Sequence, residues 1–475
     1  MTERTVLMKT PTRTPRFALH LALCIALGLA LVPSPPLRAE DFAFYELSAR
    51  AAALGGAFTG KADDISAIFY NPAGLAFLGG MRLKTNLTFS ARKMNATWPG
   101  TGLTFHTAPP ELKESQFLAW RPVRGISLGL GYYSPYSFDS RWPYAWSGED
   151  VSVAAKLHSR TFRSVVAVEP LKGLALSAAL DLVSISVRWE HHIPFELETY
   201  PLSRETTVTS FHQLQGRGVG FTAGVLWKVF SGLQVGARYQ TSVAIDLAGQ
   251  NTFSFPQSAY YYTVPDPFGS FRNVLQLLDM FYVPQAVTGR MTLPREIAFG
   301  VVLTPVPNLS LCLDVQWDKW SEFGQWMFRS VNEGGDLSPD FTSEYREFYG
   351  IVPDYGTQGS DLAVKDSRKL KAGLEYRAGK WLFLRAGFAR YESSVEAAGR
   401  TPIYPDPDLN IYSFGGGYEG PLFSIWDADK TISQISFDLF VRYASADAAA
   451  SALPGLEMTY SAKRWIAGVG VGFMF

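Results

Sequence analysis

The residues from Leu233 to Leu247 alternate without interruption. Leu233, Val235, Ala237, Tyr239, Thr241, Val243, Ile245 and Leu247 hold one parity, and Gln234, Gly236, Arg238, Gln240, Ser242, Ala244 and Asp246 hold the other. Successive side chains of a strand point to opposite faces, so the run predicts a strand with one apolar and one polar face. Strands in soluble sheets average about five or six residues, whereas one that crosses a bilayer needs roughly nine to eleven. The run is long enough to cross. Its odd face carries no charge and suits lipid, and its small polar face suits a lumen. Lys369–Tyr376, Leu309–Asp318 and the closing segment Trp465–Phe475 repeat the pattern.

The whole chain divides into fourteen such segments: 81–93, 112–121, 124–134, 156–169, 172–190, 212–229, 232–250, 292–304, 308–320, 366–377, 380–392, 409–419, 431–445 and 459–475. The connections alternate in length. Pro122-Val123-Arg124-Gly125, Pro170-Leu171-Lys172-Gly173 and Pro305-Val306-Pro307-Asn308 read as tight turns, whereas 94–111, 135–155, 191–211, 251–291 and 321–365 are long. An even strand number with short turns on one side and long loops on the other is the asymmetry of an outer-membrane barrel. The fold class expected is all-β, a 14-stranded antiparallel transmembrane β-barrel. A final strand ending on Phe475 resembles the signal read by outer-membrane assembly machinery, an expected partner together with outer-membrane lipid. Tryptophan and tyrosine bunch near strand ends (Trp120, Tyr132, Trp317, Trp320), as in an interfacial girdle.

Composition narrows the picture further. Basic and acidic residues balance at 43 each, so nothing points to nucleic acid. Arg4, Lys9, Arg13 and Arg16 precede an apolar run from Phe17 to Val32 and a stretch ending at Leu37-Arg38-Ala39, which reads as a signal peptide over 1–39. Beyond it only Cys312 remains, so no internal disulfide is expected. Scattered histidines show no Ser/His/acid spacing and no His/Cys cluster. The chain is read as a non-enzyme with neither metal nor cofactor.

Residues 40–80 break the strand period. Ser48 to Leu75 reads SARAAALGGAFTGKADDISAIFYNPAGL, small, glycine-rich and too apolar to dangle. Lying ahead of the first strand, the segment is expected to fold up into the lumen as a plug, with the barrel and its loops spanning 81–475. Its Ser48-Ala49-Arg50-Ala51, Asp63-Asp64 and Asn71-Pro72-Ala73-Gly74-Leu75, with Leu293-Pro294-Arg295-Glu296 and Asp314 to Trp320-Ser321 further on, closely resemble the FadL/TodX family of outer-membrane long-chain fatty-acid and aromatic-hydrocarbon channels. That resemblance covers the mature chain. It implies multi-pass residence in a Gram-negative outer membrane and passive transport of hydrophobic small molecules. Capture by extracellular loops and lateral release past an N-terminal hatch at a kinked third strand are implied as well. Long-chain fatty acids lead as substrate, aromatic or alkane hydrocarbons are the alternative, and a general porin for polar solutes is the reading from another class.

On those implied roles, Asn71, Pro72 and Ala73 form the hatch turn facing the third strand, where Gly129 and Gly131 would tolerate a kink. Phe271, Val274, Leu275, Leu278 and Phe281 fall at helical spacing and, with Phe195 of the loop 191–211, are candidates for a ligand groove. A ligand carboxylate would seek a lumen-facing cation, for which parity offers Arg238, Lys371, Arg385 and Arg442. Asp181, Asp246, Asp314 and Asp438 compete as their partners.

Overall fold

The structure, a computed structural model, describes residues 47–98, 104–107, 111–143, 146–193, 207–331, 342–349, 357–360, 362–421, 433–446, 448–452 and 455–475. The expected signal peptide and the start of the 40–80 segment lie outside these. The barrel strands are β1 (Met81–Thr97), β2 (Thr104–Thr107 and Glu111–Val123), β3 (Ile126–Tyr133 and Ser137–Arg141), β4 (Ala154–Leu171), β5 (Leu174–Ile193), β6 (Val208–Phe230) and β7 (Leu233–Gln240 and Val243–Ser254). They continue as β8 (Gln285–Leu293 and Glu296–Val306), β9 (Leu309–Asp318, resumed at Trp326–Ser330), β10 (Thr357–Ser360 and Ser367–Arg377), β11 (Leu382–Tyr391), β12 (Leu409–Gly420), β13 (Gln434–Ala446) and β14 (Thr459–Met474). Neighbours pair antiparallel, and β1 pairs β14 from Arg82↔Met474 to Thr97↔Thr459, which closes a barrel of fourteen strands.

The outward face of β6 carries Val219, Phe221, Ala223, Val225, Trp227 and Val229, all exposed. About ten residues at roughly 3.3 Å each, tilted by roughly 40°, make a band about 25 Å tall, the height of a bilayer's apolar layer in such barrels. Above this band the polarity reverses. On β6 the outward side becomes Arg217, Gln215 and Gln213, and the inward side includes Leu214. On β5 Leu176, Leu180 and Leu182 face out below, whereas Val183, Ile185, Val187 and Trp189 face in above, with no break in the strand. The barrel therefore stands well clear of the membrane, with an apolar interior and a wet exterior in its extracellular half.

This corrects the reading of Leu233–Leu247 as one lipid-facing stripe. The ladder of β7 breaks at Thr241-Ser242, where β7 spends one residue more than β6 between Gln240↔Thr222 and Asp246↔Arg217. The bulge flips the parity. Tyr239 faces lipid, but Val243, Ile245 and Leu247 are buried in the lumen and Asp246 points outward. Asp246 is thus no partner for a lumen cation. The β8 strand flips likewise at Pro294-Arg295, from inward Met291 and Leu293 to inward Glu296 and Ala298.

Residues 47–80 fold inside the barrel as two short helices, α1 (Ala49–Ala53) and α2 (Ala67–Tyr70), and a 3-10 turn (Pro72–Phe77). Ser48 caps α1 by accepting from the Ala51 amide. Ile68, Phe69, Tyr70 and Leu75 of this plug join Val183, Ile185, Val187, Leu214, Val243, Ile245, Met291, Trp326 and Phe328 in one continuous buried cluster.

Candidate functional site

The plug is held to the wall at three places. The first grips the carbonyls at the end of α2, which no intrahelical N–H satisfies. Arg163 of β4 donates Nη1 to the oxygens of Ile68 (3.1 Å) and Phe69 (3.2 Å), and Arg238 of β7 donates Nη1 to Phe69 (3.3 Å). Each guanidinium is itself anchored: Arg163 by Asp181, Thr222 and Gln240, and Arg238 by Glu296 at 2.5 Å. The guanidinium of Arg238 also lies 5.5 Å from the Phe69 ring centroid.

The second is Asn71, fully buried. Its Nδ2 donates to the carbonyls of Thr59 (2.9 Å) and Val225 on β6 (2.9 Å), while its Oδ1 accepts from the Ala73 amide and caps the 3-10 turn opened by Pro72. The wall leaves room by omission: a Cβ on Gly224 would stand 2.4 Å from Asn71 Oδ1, and one on Gly236 2.4 Å from the Thr59 oxygen. The Asn71 turn therefore faces β6 and β7, and the expectation that it faces the third strand is corrected. Ile68 and Leu75 face that strand instead.

The third is an ion network at the periplasmic end. Arg50 and Lys61 of the plug meet Glu375 of β10 at 3.0 and 3.1 Å, and both also reach Asp63. Arg385 of β11 joins Glu375 to Asp438 of β13 (2.7 and 2.8 Å), and Lys84 of β1 bridges Asp438 and Asp64 (2.8 Å each). Arg50, Lys61, Lys84 and Arg385 balance Asp63, Asp64, Glu375 and Asp438. Burial alone would push the Asp64 carboxyl up, but Lys84 and Arg50 beside it hold it well below the usual carboxylate range.

Gly129 and Gly131 lie on a regular, doubly paired stretch of β3. A Cβ on them would meet Leu75 Cδ1 at 2.6 Å and Ile68 Cγ2 at 2.7 Å, so they make room for the plug. The strand breaks above them instead, at Ser134-Pro135-Tyr136. There β3 spends one residue more than β4, and the Tyr136 amide donates to Ser159 Oγ (2.9 Å). Among the described residues the upper piece, Ser137–Arg141, pairs β4 and has no partner on the β2 side. The break turns Tyr136 into the lumen, where its hydroxyl donates to Glu296 at 2.6 Å.

The cation candidates separate. Arg238 is paired with Glu296, and Arg385 with Glu375 and Asp438. Arg442 donates to Ser413 (2.8 Å). Lys371, also buried, donates to the amide oxygen of Gln316 at 2.7 Å, and among the described residues it makes no ion pair. Asp314, its register partner, instead accepts from the plug's Thr59 amide at 2.6 Å.

In the loops, a helix runs over Val274–Phe281, capped by Asn273. Val274, Leu278 and Phe281 are buried beneath Val208, Ala259, Val264, Tyr345 and Tyr349, with Leu275 half-buried, so the expected groove is filled by the loops themselves. Phe271 stays 74% exposed beside exposed Phe268, Tyr260 and Tyr261, and Phe195 lies outside the described residues. Sequence reasoning passed over Arg163 and Tyr136, and it gave Glu296 and Glu375 no role at the plug. A lone arginine at a lumen parity between Thr161 and Val165 was the signal available for Arg163.

A fourteen-stranded barrel closed by an internally folded N-terminal plug has the architecture of an outer-membrane channel. The family described as outer membrane protein transport protein (OMPP1/FadL/TodX) matches residues 34–475, and the chain belongs to it. It is 21% identical over 304 residues, 63% of its length, to outer membrane protein P1 of Haemophilus influenzae, a match spanning half of that relative. A FadL homologue of Pseudomonas aeruginosa superposes with a TM-score of 0.72 at 16% identity, over 92% of this chain and all of that one. The toluene transporter TodX of Pseudomonas putida gives 0.62 at 14%, over 87% and 94%. These likenesses show the fold. The family match makes the protein an outer-membrane transport protein.

Proposed function

We propose that the compound carried is a long-chain fatty acid, caught by the exposed loop aromatics and released sideways at the β3 break when the plug shifts. The observation that carries this reading is the match between the lumen and such a molecule. Apolar side chains run from Phe328 and Trp326 down to Ile68 and Phe69, and in a buried polar layer Lys371 donates to the Gln316 amide and makes no ion pair among the described residues. Burying each methylene is worth about 0.8 kcal/mol, so a long chain gains most from that lining. A carboxylate at its end would give Lys371 a charged partner. Lateral release is supported by the upper piece of β3, which has no β2 partner among the described residues, and by Gly129 and Gly131, which bring the plug against this strand.

Uptake of labelled oleate and of toluene by cells carrying Lys371→Gln tests the reading. Oleate uptake is expected to fall about tenfold or more, the worth of one charge-assisted hydrogen bond, with toluene unaffected. Equal uptake of oleate by variant and parent would remove the carboxylate site, and equal losses of both substrates would point to a damaged path instead.

A further inference from the structure

The outward face of the barrel changes character along one line. On β4, β5 and β6 the register partners Phe162, Leu182 and Val219 form the top row of the apolar band, each exposed. The next outward row toward the loops is Arg160, Ser184 and Arg217, again register partners. Higher still, Arg188 sits between Lys156 and Gln213. Arg160, Arg188 and Arg217 are exposed and, with Ser184, Ser186 and Gln215, line one open groove on the outside of the wall.

Among the described residues no carboxylate stands within ion-pair distance of these three guanidiniums. Elsewhere on the outward rim four bases have carboxylate partners. Arg368 meets Glu392 at 2.7 Å, Lys319 meets Asp366 at 2.7 Å, Arg390 meets Asp408 at 3.4 Å and Arg290 meets Asp246 at 3.7 Å. Within the quadrant itself Lys156 reaches Asp139 at 3.6 Å. Three guanidiniums without an ion-pair partner therefore cluster on β4–β6, directly above the lipid boundary.

We propose that this groove binds a phosphorylated glycolipid of the outer leaflet. Its acyl chains would lie on Phe162, Leu182, Val219 and Phe221, and its phosphates on Arg160, Arg188 and Arg217. A guanidinium presents parallel N–H donors that match a phosphate, and it holds its charge at any working pH. Arg160 and Arg217 stand two strands apart, roughly 10 Å at the backbone, so one headgroup can span both. The hydroxyls of Ser184 and Ser186 and the amides of Gln213 and Gln215 complete a polar floor suited to sugar. Charge and greasy surface meet here in the order in which headgroup and tails meet in the leaflet.

The test uses the full chain in detergent, titrated with diphosphorylated lipid A and followed by native mass spectrometry. The probes are that lipid, its enzymatically dephosphorylated form, and inorganic phosphate. The proposal expects a bound lipid that the triple variant R160Q/R188Q/R217Q loses by about a hundredfold in affinity, from roughly fivefold per basic group near a membrane surface. It expects dephosphorylated lipid to bind the parent as weakly as intact lipid binds the variant, and R368Q/R390Q to bind like the parent. Heat-shifted gel mobility verifies that each barrel is folded, and R160K/R188K/R217K, which keeps the charge, should retain most of the affinity should the glutamine variant fail to fold. Equal binding of phosphorylated and dephosphorylated lipid, or unchanged binding by a folded triple variant, would overturn the proposal. Inorganic phosphate binding as tightly as the lipid would do so too, by making the groove a free-anion site.

Discussion

Replacing Asn71 by alanine tests whether the plug is latched where the geometry places the latch. The side chain is fully buried and makes three hydrogen bonds: its cap on the Ala73 amide and two donations, to Thr59 within the plug and to Val225 on β6. Loss of the cap costs about 1 kcal/mol. Stranding the buried Thr59 oxygen costs about 1–3 kcal/mol more. The ion network through Glu375 and Asp438 is untouched, so the barrel and the periplasmic end of the plug stay in place. The variant should open locally around 59–77, more often by roughly thirtyfold to several hundredfold, at 1.4 kcal/mol per factor of ten. Single-channel recording in planar bilayers reads this directly, as brief openings over a nearly silent parent. Asn71→Ser, which keeps the cap but cannot span to Val225, should recover about 1 kcal/mol of the loss. Traces from Asn71→Ala indistinguishable from the parent, together with unchanged amide exchange over 59–77, would refute the latch.

Other consequences follow from the same contacts. Glu375→Gln leaves Arg50, Lys61 and Arg385 without their shared carboxylate, and breaking one partner of a buried pair costs about 3–5 kcal/mol; faster trypsin cleavage at Arg50 or Lys61 in the otherwise intact barrel would register it. Gly236→Ala would drive a methyl into the Thr59 oxygen and should lower the barrel's gel-shift temperature and raise its leak, whereas Gly79→Ala, which meets nothing within 4 Å, should do neither. Because Asp64 titrates below its ordinary range in the folded chain, its contribution is present in full above about pH 5 and is lost as pH falls below about 4. Conductance should therefore be flat from pH 5 to 8 and rise under stronger acid, and a rise beginning near pH 6 would assign the effect to another group.

The barrel was legible because a bilayer imposes a simple rule on each strand. Within the band, one parity must be apolar and the turns on one side short; the strands follow this, save for the thirteen-residue connection 421–433 between β12 and β13. The plug's place followed from the same logic, since an apolar, glycine-rich segment ahead of β1 has only the lumen to enter. The latch was less legible. Asn71 stood out as a turn residue, but the partner of its amide, the Val225 carbonyl, belongs to backbone and leaves no trace in residue types. Arg163 and Glu375 were visible as charges at lumen parity, yet which charges meet depends on barrel circumference and plug orientation, and neither is periodic in the sequence.

The parity reversal above the band explains why Leu233–Leu247 misled, and it bears on transport. A period-2 pattern is unchanged by reflection, so a perfect alternation cannot say which face is lipid; only where the strand bulges does. On β5 the reversal is written in the sequence itself, as Leu180 and Leu182 give way to Val183 and Ile185, and it marks the height at which the surroundings change from lipid to water. Both strands place their apolar face inward above that height. A porin for polar solutes would need the opposite choice, because an apolar lining in the wet half of the barrel repels what such a channel carries. The wall spends its apolar residues where lipid cannot reach them, and a hydrophobic cargo is the guest that surface accommodates.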